Sequence, residues 1–129
     1  MSARDRDHIH RADPAGEQLT EERCHILELA NHAGDEALSI ARARVEPGVC
    51  TRWHRLENIT ERYLILEGEG LVEVGEHAAQ AVRPGDVVRI APGERQRIRN
   101  SGHRDLVFLA LCTPRFRWDA YEDVDPAPL

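Results

Sequence analysis

The residues with the most chemistry in this chain lie between positions 48 and 68. They run Gly48-Val49-Cys50-Thr51-Arg52-Trp53-His54-Arg55-Leu56, then Glu57-Asn58, then Ile59-Thr60-Glu61-Arg62-Tyr63-Leu64-Ile65-Leu66-Glu67-Gly68. Side chains alternate across a strand, so Cys50, Arg52, His54 and Leu56 fall on one face and Thr51, Trp53 and Arg55 on the other. Glu61 opens the next strand after a short connection and can come near His54; Tyr63 and Ile65 share its face. If His54 points inward, Arg52 does too, and an inward guanidinium is costly to bury without a negative partner. Arg52 therefore pairs with Glu61 or captures the carboxylate or phosphate of a ligand, which planar guanidinium does well. Tyr63 is either a core aromatic with a satisfied hydroxyl or a catalytic acid.

The elements that must position these groups have a period of two. Cys24, Ile26 and Glu28 alternate with His25, Leu27 and Leu29 before a turn at Asn31 to Asp35. Between Ala37 and Glu46, Ser39, Ala41, Ala43 and Val45 form a small or apolar face, opposite Ile40, Arg42, Arg44 and Glu46. Turn signals then recur at Pro47-Gly48, Gly68-Glu69-Gly70, Gly75, Pro84-Gly85, Pro92-Gly93 and Ser101-Gly102. Short strands with such punctuation and no long helical period predict an all-β sandwich or barrel. Residues 1–20 read as a flexible N-terminal arm, 21–114 as the barrel and 115–129 as a C-terminal tail, with a turn of helix between Arg117 and Glu122.

The second informative stretch is Gly85-Asp86-Val87-Val88-Arg89-Ile90-Ala91-Pro92-Gly93-Glu94-Arg95-Gln96-Arg97-Ile98-Arg99-Asn100. Together the two stretches, over about residues 37 to 113, resemble the two motifs of the cupin family. The resemblance implies a double-stranded β-helix, a jelly-roll barrel in which both motifs meet at one mouth. It also implies metal-binding histidines at 54, 56 and 96 and a glutamate at 61. Here position 56 is leucine and position 96 is glutamine. His54, Glu61 and Gln96 would then supply one nitrogen and two oxygen donors, a set suited to manganese, iron or nickel with water in the open positions. The alternative is a metal-free pocket in which Leu56 packs and Gln96 bonds to Glu61.

Composition narrows the partners. All seventeen basic residues are arginine, yet the net charge is −6, which argues against a nucleic-acid partner held through phosphates. No apolar run has the length of a membrane helix and the charged start lacks a secretory core, so the expectation is a cytoplasmic protein. Cys24, Cys50 and Cys112 are scattered and odd in number, and read as reduced thiols. The strands at 62–66 and 106–112 are apolar on both faces; a homodimer packing sheet on sheet would cover the outer one, as would the terminal arms.

Two functions follow. One is a metal-dependent enzyme acting on a small anionic or sugar-like substrate, with Arg52 and Tyr63 in substrate binding. The other is a non-catalytic ligand-binding or scaffold cupin that has lost full ligation, since the fold selects neither.

Overall fold

The computed structural model describes residues 8–129, and among them the alternating stretches become eleven strands in two antiparallel sheets. The larger sheet runs in the order β1 (Gln18–Leu19), β2 (His25–Ala30), β3 (Ser39–Val45), β10 (Leu106–Thr113), β5 (Thr60–Glu67), β8 (Val87–Ile90). The smaller runs β11 (Tyr121–Asp123), β4 (His54–Leu56), β9 (Gln96–Asn100), β6 (Gly70–Val74), β7 (Gln80–Val82). This is the all-β double-stranded β-helix that the motifs imply. Among the described residues no helix is long and apolar enough to cross a membrane.

The core forms between the sheets because each strand turns its alternate residues inward. Ala43 and Val45 of β3, Tyr63 and Ile65 of β5, and Phe108 and Ala110 of β10 meet Val72 of β6 and Ile98 of β9. Two residues of the motifs hold the ends. Gly68, at φ +84°, turns β5 into β6 where an added Cβ would lie 2.6 Å from the Asp105 carbonyl oxygen, so only glycine fits. The buried Asn100 side chain donates to the carbonyls of Val45 and Arg104 and accepts from the Gly102 amide, tying three connections together.

The chain ends do more than expected. Residues 1–7 of the expected arm lie outside the described residues. From Pro14 the arm makes a 3-10 turn capped by the Asp13 side chain, then β1 pairs with β2. Glu17 is clamped by Arg44 at 2.6 Å, and Gly16 backs onto Leu27. The tail turns once as a 3-10 helix at Trp118–Ala120, and β11 joins the smaller sheet beside β4.

The expected alternation from Cys50 to Leu56 holds only for His54, Arg55 and Leu56, which are buried, exposed and buried. Thr51, Arg52 and Trp53 are all buried. Here the backbone leaves the regular ladder: the Thr51 amide donates to the Ile98 carbonyl, and the Arg52 amide donates to the Glu22 carbonyl.

Candidate functional site

β4, β5 and β9 bring the two motifs to one mouth of the barrel. His54 is in register with Gln96 on one side and Asp123 on the other, while Glu61 pairs with Cys112 and Ile90. The side chains of His54, Leu56, Glu61 and Cys112 line a cavity of about 50 Å³, and the chain ends add Glu22 and Tyr121 to its wall.

His54 is buried, with its Nδ1 2.8 Å from the Arg52 carbonyl oxygen. A carbonyl only accepts, so Nδ1 carries a proton, and in the neutral ring Nε2 is the accepting nitrogen. Glu22 Oε2 lies 3.5 Å from the same Nδ1, and the imidazole stacks on Tyr121 with ring centres 5.2 Å apart.

Glu61 is 8 % exposed, and its Oε1 has no hydrogen-bond partner among the described residues. Its Oε2 receives only the weak Cys112 thiol contact at 3.7 Å. Burial raises its pKa; His54 and the nearby Gln96 amide pull it back down, and Glu22 pushes it up again. Glu22 has no hydrogen bond to its carboxylate in this wall, and burial pushes it up to about 7. Glu28, at the rim, is raised by the same cause. The cavity therefore holds three carboxyls and one imidazole, and no arginine lines it.

Gln96 is fully buried. The Tyr63 hydroxyl donates to its Oε1, which turns Nε2 toward Glu61 without a well-formed hydrogen bond. Tyr63 lies in the core beside Phe108.

Of the expected ligand set His54, Glu61 and Gln96, the Gln96 carbonyl already accepts from Tyr63, and among the described residues no group of three or more His, Cys, Asp or Glu side chains is placed to hold an ion. His54 Nε2 and Glu61 remain, short of the three protein ligands of an open transition-metal site.

Arg52 differs from expectation as well. Its side chain turns away from Glu61 into a neighbouring groove and is 3 % exposed. There it donates to Asp123 at 2.7 Å and to the carbonyls of Ala127 at 2.5 Å and Pro128 at 3.3 Å. The Asp123 carboxyl falls below its ordinary pKa chiefly through that bond. The guanidinium thus has a negative partner, but its own tail supplies it.

Glu22, Trp118 and Tyr121 were not singled out by sequence. Glu22 stands in a polar stretch with no motif. For the other two a signal exists: Phe116, Trp118 and Tyr121 are half of the chain's six aromatic residues, gathered in a segment otherwise read as tail. They form a row with His54. Phe116 meets Trp118 at 4.9 Å and Trp118 meets Tyr121 at 5.1 Å, both edge-on. The cysteines are free, and burial raises the thiols of Cys24 and Cys112 well above their ordinary range, which leaves them unreactive.

Comparison with known proteins agrees with this architecture. The Cupin domain family matches residues 41–112. The chain is 35 % identical over 90 residues to an oxalate-binding protein of Thermotoga maritima, covering 66 % of this chain and 74 % of that one. A predicted oxalate decarboxylase from the same organism superposes with a TM-score of 0.67 at 26 % identity, over 88 % of this chain and 99 % of the other. KdgF from Halomonas sp. has the same fold, with a TM-score of 0.73 at 19 % identity over 86 % and 97 % of the two chains. From the family match and the curated relative together, the chain belongs to the cupin family.

Proposed function

We propose that the protein binds a small polar molecule, a small carboxylic acid or sugar-like acid, at the His54–Glu61 cavity through side-chain contacts without an ion. The observation that carries this reading is the buried Glu61 Oε1, unpartnered beside an imidazole whose tautomer the Arg52 carbonyl fixes. A ligand hydroxyl or protonated carboxyl can donate to Glu61, and His54 Nε2 can accept from the same ligand. An anionic ligand suits the cavity when its own carboxyls are protonated, and burial has moved Glu22, Glu28 and Glu61 in that direction. The oxalate-binding relative supports a small carboxylate as the ligand class.

Metal-dependent catalysis, the sharper reading of the motifs, lacks its third donor here, so the account favours ligand binding. Arg52 has no part in the contact, because Asp123 and the tail carbonyls use its donors. Assembly as a homodimer through the outer face of the larger sheet, and a cytoplasmic location in keeping with three free thiols, complete the proposal.

Calorimetric titration of glycolate and oxalate at pH 6 tests it, in wild type, His54→Ala and Glu61→Gln. Binding to wild type that both variants lose supports the site. Equal binding by all three would place the ligand elsewhere.

A further inference from the structure

The cavity at His54 and Glu61 is small. At about 50 Å³ it seats a few non-hydrogen atoms, such as a carboxyl with its neighbouring hydroxyl. It adjoins a larger space: Glu22, Trp118 and Tyr121 line both the cavity and an outer groove of about 710 Å³. The groove is the neighbouring space for whatever part of a ligand the cavity cannot seat.

The groove is built unlike the surrounding surface. Leu19 is 64 % exposed, Trp118 58 % and Leu129 82 %, so three of the molecule's exposed large apolar side chains line one concavity. Water against such surfaces is unfavourable, and a concave group of them marks a contact site. Trp118 is also held in place. Its indole meets both Phe116 and Tyr121 edge-on, and Tyr121 continues the row to His54. A rigid, exposed indole at the mouth of a polar cavity offers one face to a ring at little ordering cost.

We propose that the site is bipartite: the inner cavity takes a polar head, and the outer groove takes a ring attached to that head, with Trp118 as the stacking platform. The ligand class is thus a ring-bearing acid, a sugar acid or an aromatic hydroxy acid, instead of a bare dicarboxylate. This inference rests on the reading that the inner cavity seats the head.

The test uses two probes that share a head and differ by a ring, glycolate and mandelate, titrated calorimetrically into the full chain. Wild type is expected to bind mandelate about ten-fold tighter than glycolate, the scale of one aromatic stacking contact plus its buried area. Trp118→Ala should lose most of that ratio; Trp118→Phe should retain it, which separates loss of the ring from loss of the fold. Glu61→Gln should weaken both probes. Equal affinity for the two probes in wild type, or a ratio that survives Trp118→Ala, overturns the bipartite site while leaving the inner cavity intact. Failure of both probes to bind, or binding indifferent to Glu61, removes the inner site and this inference with it.

Discussion

Glu22 brings its Oε2 to 3.5 Å from Nδ1 of His54, although Glu22 lies in the connection between β1 and β2 of the larger sheet, His54 opens β4 of the smaller one, and the two share no motif. The contact exists because the Arg52 amide donates to the Glu22 carbonyl, which anchors the turn before β2 against the first part of the first motif. A carboxyl with no hydrogen bond of its own is thereby placed beside the one imidazole of the cavity. That imidazole already donates to a carbonyl, so the carboxyl gains little that would favour its charged form.

This has a pH signature. The Glu22 pKa rises from an ordinary 4.5 to about 7 on folding, so the folded chain keeps a proton that the unfolded chain loses. The stability it contributes is full below about pH 4.5 and is lost as pH rises through about 7, by on the order of 3 kcal/mol. Glu22→Gln removes the titration. Urea denaturation from pH 4 to 8 should show a flatter profile for the variant and greater stability than wild type at pH 8. Parallel profiles would mean that Glu22 titrates normally.

Arg52 should act as the fastener of the tail. Its donors hold Asp123, Ala127 and Pro128, and the neighbouring Val124 amide donates to the Trp53 carbonyl. Arg52→Met is expected to lower the Tm by a few degrees and to speed hydrogen exchange of the Val124, Asp125 and Ala127 amides, with glycolate affinity preserved. Loss of ligand affinity with an unchanged tail would restore the arginine to the binding site.

Much of this site was legible in sequence, for a definite reason. His54, Glu61 and Gln96 stand on β4, β5 and β9, where the period of two sets which side chains share a face and the resemblance to the cupin motifs implies that this face turns inward; all three are buried at one mouth. Arg52 was misread because residues 51–53 leave the ladder, and alternation carries no information once the backbone bonds to Glu22 and Ile98 instead of a regular partner. Glu22 and Tyr121 arrive from the two ends of the chain. Nothing local to either encodes the pairing of β11 with β4 that brings Tyr121 onto His54.

The outer face of the larger sheet supports the dimer. Leu64 stands opposite Leu109, Leu111 opposite Ile40, and Leu66 and Val87 are 41 % and 61 % exposed, while Gly16 of the arm lies against Leu27. Light scattering at micromolar concentration should give twice the 14.6 kDa chain mass, and Leu109→Arg should halve it. A wild-type mass of one chain refutes the assembly.

Leu56 is the position where an imidazole would complete a donor set. Leu56→His adds one on the face of His54, beside Glu61, and should retain manganese, nickel or zinc after desalting, where wild type keeps far less than one ion per chain. Equal and negligible retention in both proteins would show that the strand geometry no longer supports ligation even with the side chain restored.

Recognition of the ligand by the cavity's own side chains is tested most directly by calorimetric titration of glycolate into chelator-stripped wild-type protein, repeated after one equivalent of manganese is added. The same affinity is expected in both, and none in His54→Ala. Binding that appears only with manganese would contradict it.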